Sequence, residues 1–360
     1  MVRIGIIGCG KIADLHAALI QSLPGCEIVG VCDQEELMAK QLRERFSIRK
    51  HFSDVRALLE GGRPDIVHIT TPPQSHFNLG KVCLEAGCHV YIEKPFTVNA
   101  QETEELINLA TVKGLKITVG HDHQFTHAAI RMRELIKGGY LGGTPVHMES
   151  YYGYDLGDPV YARALLGDKE HWVRRLPGKL LHNIISHGIG KISEFLESDD
   201  PRVIAYGFTS SFLKRIGEFE IVDELRVIIH NGNDTTAYFT FSSEMRPSLH
   251  QFRIYGPKNG LIIDHDQQTV IRLKGKKYKS YMERFIPPFL YTRQYVGSSI
   301  SNISRFMRND FHMNWGMKYL ISSFYRSVVE NEPPPIPYRE IILTSRIMDS
   351  IFTQLSSRGS

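Results

Sequence analysis

The sequence predicts an α/β chain of two domains. The first is a doubly wound domain on a parallel sheet, and the second an α+β domain on one large open sheet of mixed or antiparallel strands. Three observations predict it. Unbroken apolar runs of four to six residues alternate with helical patterns through the first 120 residues. A glycine-rich turn separates the first such run from the first helix. Beyond about residue 123 the apolar runs lengthen, and several alternate with polar residues, as in a sheet with one wet face. At roughly 100–200 residues per domain, the 360 residues divide naturally into domains over 1–122 and 123–360.

In order, Val2–Ile7 is a strand that stops at Gly8, and Lys11–Leu23 carries helical spacing until Pro24-Gly25. Glu27–Cys32, Asp65–Ile69, Cys88–Ile92 and Leu115–Val119 are further buried strands. The helical stretches between them are Glu35–Phe46, Val55–Leu59, Ser75–Ala86 and Asn99–Val112. In the second domain Ala128–Lys137 is helical. Strand character follows at Pro145–Tyr152, Val203–Ser211, Glu218–Ile229, Thr235–Phe241, His250–Tyr255 and Leu261–Ile263. A helical run at Leu180–Leu196 interrupts these strands, and helices near Trp315–Val329 and Arg339–Leu355 close the chain.

Composition excludes several classes. With 42% hydrophobic residues the chain is not disordered, and a net charge of +4 does not favour a nucleic-acid protein. No apolar stretch approaches the ~18 residues of a membrane span, and the N-terminus lacks the layout of a secretory signal. Five cysteines (Cys9, Cys26, Cys32, Cys83, Cys88), odd in number and without CxxC spacing, read as reduced thiols in a cytoplasmic protein, not as a disulfide framework or zinc site.

Gly8-Cys9-Gly10-Lys11-Ile12-Ala13 is a G-x-G-x-x-A element between a strand and a helix. Its glycines permit a tight turn and close approach of a pyrophosphate to free N–H groups at the helix start. Asp33, 20 residues past Ala13, ends the second strand, where a carboxylate accepts hydrogen bonds from a ribose. No arginine follows it for a 2′-phosphate, so NAD is expected over NADP. This is the fingerprint of a Rossmann domain. Thr70-Thr71-Pro72-Pro73-Gln74-Ser75-His76 and Glu93-Lys94-Pro95 lie at the carboxyl ends of later strands, where ligands bind in open parallel sheets. Thr71, Pro72, His76, Glu93 and Lys94 are therefore candidate cofactor residues, with Gly8, Cys9, Gly10, Lys11, Ile12 and Asp33.

GCGKIA, Asp33, TPPQSH and above all EKP resemble the glucose–fructose oxidoreductase / inositol dehydrogenase (Gfo/Idh/MocA) family of NAD(P)-dependent oxidoreductases. The resemblance spans residues 1–120 and continues more loosely through GHDHQF and ELIKGGYLGG into Pro177–Ile192. It implies hydride transfer between nicotinamide and a hydroxyl or keto carbon of a sugar, polyol or nucleotide-linked sugar. It also implies homodimers or homotetramers paired through the second-domain sheet. Family members place the EKP lysine and a histidine from G-G-x-x-x-D-x-x-x-H beside the nicotinamide. That assigns Lys94 and His187 as catalytic, with Asn183 in the position of the expected acid. His187 can exchange the hydroxyl proton, while Lys94 stabilises developing alkoxide charge.

His123 and Trp172 are further candidate substrate contacts. In the run His121, His123, His127, positions 121 and 123 share a face if the strand persists, and no metal is assigned to it. The departures at Asn183 and Gly190 keep two alternatives open: a non-catalytic NAD-binding regulator and an NAD-dependent glycosidase.

Between Arg272 and Arg308 nine basic residues face one acid, Glu283, giving +8 against −4 for the rest of the chain (4 − 8). Interleaved aromatics and Pro287-Pro288 leave no clean periodicity before Ile300. A solvated or oligomer-facing insertion, a site for a phosphate-bearing ligand and a membrane-surface contact all fit this composition.

Overall fold

The computed structural model describes residues 1–156, 160, 162, 166–232, 234–275, 278–279 and 281–357. These form two compact units, Met1–His121 with Lys318–Arg346, and Asp122–Met317 with Ile347–Ser360.

The first unit holds a six-stranded parallel sheet of β1 (Val2–Ile7), β2 (Cys26–Cys32), β3 (His51–Phe52), β4 (Ile66–Ile69), β5 (His89–Ile92) and β6 (Ile117–Val119). Their order is β3-β2-β1-β4-β5-β6. Helices α1 (Lys11–Gln21), α2 (Glu36–Arg45), α3 (Val55–Gly62), α4 (His76–Glu85) and α5 (Ala100–Val112) alternate with the strands. The order reverses between β1 and β4, the switch point at which such sheets open a crevice for ligands. The central strands are apolar because both of their faces are covered: Ile4, Ile6, Ile66, Ile69, Val90 and Ile92 have no exposed surface. All five cysteines are free thiols and only Cys26 is not buried; burial pushes the Cys9 thiol up to about 12.

The second unit holds a seven-stranded sheet in the order β13-β12-β11-β7-β10-β9-β8. Its strands are β7 (His147–Gly153), β8 (Arg202–Phe208), β9 (Glu224–Asn231), β10 (Thr235–Ser242), β11 (His250–Tyr255), β12 (Asn259–Asp264) and β13 (Thr269–Lys274). Only β7 and β10 pair in parallel; the other neighbours are antiparallel. Alternation along β9 and β10 buries Leu225, Val227, Ile229, Phe239 and Phe241 on one face, while Ile228 and Tyr238 are exposed on the other. The helices are α6 (His127–Lys137), α7 (Lys179–Ile184), α8 (Ser186–Ser193), α9 (Ser211–Arg215) and α10 (Met282–Met307). Helix α8 lies against β7 and β10: Ser150 donates to the Gly188 carbonyl at 3.0 Å, and a Cβ at Gly188 would strike the Phe239 ring.

Two last helices, α11 (Trp315–Val329) and α12 (Tyr338–Ser357), carry the chain back. The sequence reading puts this stretch in the second domain, whereas Lys318–Arg346 clusters with the first unit. The reason is specific contact with the parallel sheet. Tyr325 Oη lies 2.8 Å from His68 Nε2 on β4, and the Phe324 ring packs on Tyr91 of β5. The amide of Ile117 donates to Tyr338 Oη at 3.2 Å.

Other departures from the expected elements have local causes. Strand β9 starts at Glu224, not Glu218, because residues 218–223 are taken up by a turn in which Glu218 accepts from the amides of Glu220 and Ile221. The expected helix Leu180–Leu196 is broken at Ile185 and ends at Ser193. Strands β3 and β13 and helix α10 were not anticipated. Helix α10 runs through Pro287-Pro288, forgoing two backbone donors, and interleaved aromatics mask its apolar period; none of its residues is buried. Of the basic segment, Lys276 and Lys277 lie outside the described residues. No helix among the described residues is long and apolar enough to cross a membrane.

Candidate active site

In the first unit, the turn after β1 requires glycine at residue 8. Its φ is +94°, and a Cβ there would come within 2.9 Å of the backbone of Thr70 and Thr71. At Gly10 a Cβ would meet nothing within 4 Å, so this turn faces open space at the N-terminus of the eleven-residue α1. The Asp33 carboxylate closes the turn from the end of β2. Oδ2 accepts from the Cys9 amide at 2.7 Å and Oδ1 from the Glu35 amide at 2.9 Å. Lys11 and Ile12 are exposed beside it, while Cys9 is buried. Glycine backbone, free helix-terminal amides and a carboxylate at the second strand fit a dinucleotide.

The two later loops are braced together. His76 is buried, with Nε2 2.8 Å from the Thr71 carbonyl and Nδ1 3.0 Å from the Pro95 carbonyl. Both ring nitrogens are thus engaged by backbone, and His76 positions the loops from beneath. Burial depresses its pKa against the pull of those carbonyls. Thr71 Oγ1 and Ser75 Oγ are 2.7 Å apart, and Pro72 is exposed.

The Lys94–Pro95 bond is cis, and Lys94 is half-buried. Its neighbour Glu93 anchors a buried chain of polar groups. Glu93 Oε1 is 2.9 Å from His16 Nε2, His16 Nδ1 is 2.7 Å from His68 Nδ1, and His68 Nε2 meets Tyr325. Burial alone would raise the Glu93 pKa, but the hydrogen bond and charge of His16, with Lys94, hold it below the ordinary carboxylate range. The other Glu93 oxygen accepts the Lys94 amide at 3.1 Å, which fixes the backbone that presents the lysine. His121 is buried in this unit and burial lowers it to about 4, so it is neutral at pH 7.

In the second unit, α8 presents His187 to a cluster of titratable groups. Its ring stacks on His123 (centroids 4.4 Å, planes 23° apart) and lies 6.1 Å from Tyr152. Asp122 Oδ1 stands 3.7 Å from His187 Nδ1, ion-pair distance rather than a hydrogen bond. Asp122, His123 and His187 place one donor atom each within 4.8 Å of one another. One turn beyond His187, the Lys191 Nζ is fully buried with no hydrogen-bond partner among the described residues, 5.8 Å from the Tyr152 ring centroid. Burial lowers its pKa to about 7 against the pull of Asp266, Asp122 and Asp264. Asn183 is half-buried on α7. Trp172 sits half-buried on a short 3-10 turn (Trp172–Arg175), its ring 5.5 Å from His171.

Residues 2–121 match the family model for an oxidoreductase family with an NAD-binding Rossmann fold. Among curated proteins the chain is 32% identical over 142 residues to the D-glucoside 3-dehydrogenase of Escherichia coli, covering 39% of this chain and 40% of that protein. It is 33% identical over 149 residues to the UDP-N-acetylglucosamine 3-dehydrogenase of Acidithiobacillus ferrooxidans, covering 41% of this chain and 44% of that one. The matches therefore span less than half the length of these relatives. Residues 2–121 belong to the Gfo/Idh/MocA oxidoreductase family. Over nearly the whole length the fold is also that of the WlbA dehydrogenase of Bordetella pertussis, solved with NADH and UDP-GlcNAcA. There the TM-score is 0.77 with 15% identity, covering 99% of this chain and 96% of that one.

One sequence reading changes. His121, His123 and His127 do not line one strand: β6 ends at Val119, a 3-10 turn covers Asp122–Phe125, and His121 falls in a different unit from the others. His127 instead stacks on Trp315 at 3.7 Å, its Nε2 2.8 Å from the Asp310 carbonyl. The partner of Glu93 is His16, a residue that sequence reasoning passed over as part of an amphipathic helix. Sequence reading also missed Asp122, although it lies in GHDHQF, a segment already read as resembling the family.

Proposed function

We propose that the protein is an NAD-dependent dehydrogenase or reductase acting on a hydroxyl or keto carbon of a sugar-like substrate. The first unit serves as cofactor domain and the second as substrate domain. The observation that carries the reading is the pairing of His187 with Asp122 in a chain that also carries the EKP lysine. Asn183 lacks a carboxylate, but Asp122 supplies one from another element.

Gly8, Cys9, Gly10, Lys11, Ile12 and Asp33 would hold the dinucleotide, with Thr71, Pro72 and the backbone around Glu93 and Lys94. NAD, when bound, supplies the acceptor for the hydride that leaves the substrate carbon. Asp33, followed by Gln34, Glu35 and Glu36, disfavours a 2′-phosphate. In the direction of oxidation His187 accepts the hydroxyl proton at Nε2, because Nδ1 faces Asp122. The carboxylate stabilises the imidazolium that results. Lys94 opposes negative charge developing on the substrate oxygen. His123 covers one face of the His187 ring and limits its rotation.

Both curated relatives are named as 3-dehydrogenases, one of a glucoside and one of a UDP-linked amino sugar. Glycosides and nucleotide-linked sugars are accordingly the substrates we propose. Pairing of copies through the exposed sheet face, where Ile204, Tyr206, Phe208, Ile228 and Tyr238 are uncovered, accompanies this reading.

The test is a panel of glucosides and UDP-sugars, scored by NADH absorbance with wild type, Lys94→Ala and His187→Ala. Turnover in wild type and a loss of about 10²–10⁴ in either variant is expected. NAD binding without turnover on any member would give the protein to the regulator reading. Glycoside cleavage without net NADH would give it to the glycosidase one.

A further inference from the structure

Helix α10 is built the wrong way round for a helix of a folded core. Its 26 residues include none that is buried. Phe285, Phe289, Val296, Ile300, Ile303 and Met307 recur at spacings of 4, 7, 4, 3 and 4, and so form one stripe. That stripe faces solvent: Phe289 is 71% exposed, Ile300 63% and Met307 77%. The less exposed side, which carries Pro287, Leu290 and Tyr291 as well as Gln294 and Asn302, holds the helix to the edge of the sheet. Gln294 accepts the backbone N–H of Arg272 at 2.9 Å and donates to its carbonyl at 3.3 Å, pairing with β13 as another strand would. Asn302 donates to the Gln267 carbonyl at 2.9 Å. Between α10, β13 and α6 lies a cavity of about 740 Å³ lined by basic and apolar side chains together, among them Arg131, Arg272, Arg305, Leu135, Val270 and Leu290. The inner face of α10 therefore borders this mixed cavity, and its outward apolar stripe is left uncovered.

We infer that α10 is an interfacial helix that lies flat on an anionic lipid surface. Five considerations select that occupant. The stripe is a convex ridge along a single helix, the shape that sinks into the headgroup boundary of a bilayer. The segment from Arg272 to Arg308 carries +8, with Glu283 as its one acid. Lys279, Arg284, Arg293 and Arg308, in and beside α10, are exposed, which suits anionic headgroups. A second copy on the same ridge would bring two such segments against each other, like charge on like. Tyr281 and Tyr295, both exposed, flank the ridge with the amphipathic rings that favour the membrane–water boundary. The helix is not apolar enough to cross, so it lies in the plane over roughly 39 Å, at 1.5 Å per residue. This inference is independent of the redox reading.

The test is co-sedimentation of the full chain with vesicles of phosphatidylcholine alone, or with about one-third phosphatidylglycerol. The anionic vesicles should bind at least tenfold more protein, and binding should fall as salt rises from roughly 50 to roughly 500 mM. Phe289→Ser/Ile300→Ser/Ile303→Ser and, separately, Arg284→Glu/Arg293→Glu should each weaken binding at least tenfold. Both should leave the circular dichroism spectrum and NAD binding intact, because none of these side chains is buried. No binding to anionic vesicles, or equal binding to neutral ones, overturns the inference. So does a fall in molar mass by light scattering in the apolar variant with vesicle binding unchanged, which would assign the ridge to a second copy.

Discussion

Asp122 Oδ1 lies 3.7 Å from His187 Nδ1, so an aspartate of a 3-10 turn stands beside the histidine, while the position four residues before it, on α7, holds Asn183 and no carboxylate. A carboxylate at that ring nitrogen favours the tautomer that leaves Nε2 free to accept a proton. It also stabilises the imidazolium once formed. Asp122→Asn keeps the shape and removes the charge. We expect kcat to fall about 10–100-fold, with the acidic limb of the pH–rate profile displaced and NAD affinity unchanged. An unaltered pH profile would assign Asp122 a packing role only.

With His123, this pair has the donor set to ligate a cation, since Asp122, His123 and His187 gather their donor atoms within 4.8 Å. Acid–base use of His187 predicts that EDTA leaves turnover unchanged. Turnover lost to the chelator and restored by zinc would instead make this a metal site.

Lys191 affords a measurement on stability. Its folded pKa is lowered to about 7 by burial, below the 10.5 of an ordinary lysine. Between those values the unfolded chain binds the extra proton, so stability rises with pH across that window. Below about 7 the penalty is fully present, on the order of a few kcal/mol. Lys191→Met should raise Tm at neutral pH and flatten the climb between pH 7 and 10.5. A variant melting at or below wild type at pH 7, with the same climb, would show that the buried amine is not the source of the slope.

In the first unit, Tyr325→Phe deletes the group that meets His68 Nε2, a buried nitrogen on β4. Leaving it unsatisfied should cost about 1–3 kcal/mol in denaturant unfolding. A double-mutant cycle with His68→Phe should recover part of that cost, since the two groups share one contact.

Asp33→Asn leaves a side chain of the same shape but weaker as an acceptor for the amides of Cys9 and Glu35. NAD affinity should drop about tenfold, with NADP affected less because its 2′-phosphate no longer meets a negative charge. Calorimetric titration with both cofactors separates this from general loosening of the turn, which would weaken both equally.

The legible part of the molecule was the part whose chemistry is local. Gly8, Asp33 and the EKP lysine each occupy a position relative to a strand end that their own neighbours in sequence define. Alternation in β11 was equally readable, His250, Phe252 and Ile254 against Gln251, Arg253 and Tyr255, because a half-buried sheet imposes a period of two. Asp122 was not readable as the partner of His187, since only tertiary folding joins a 3-10 turn to α8. The Glu93–His16–His68–Tyr325 chain was hidden for the same reason: each member comes from a different element, and an isolated histidine in an apolar pattern looks like any core residue. Helix α10 escaped because Pro287-Pro288 and aromatics interleaved with its apolar stripe hide the helical period before Ile300.

The return of residues 318–346 to the parallel sheet has a practical consequence. The polypeptide passes between units at 121/122, 317/318 and 346/347, so the first unit is discontinuous in sequence. A fragment ending near residue 121, the natural cut for anyone isolating the dinucleotide half, would leave His68, Tyr91 and the amide of Ile117 without their covering residues. Ribosomal synthesis meets the same situation: the nascent N-terminal half emerges long before the segment that seals it. Final consolidation of the first unit must therefore wait until residues 318–346 have been made.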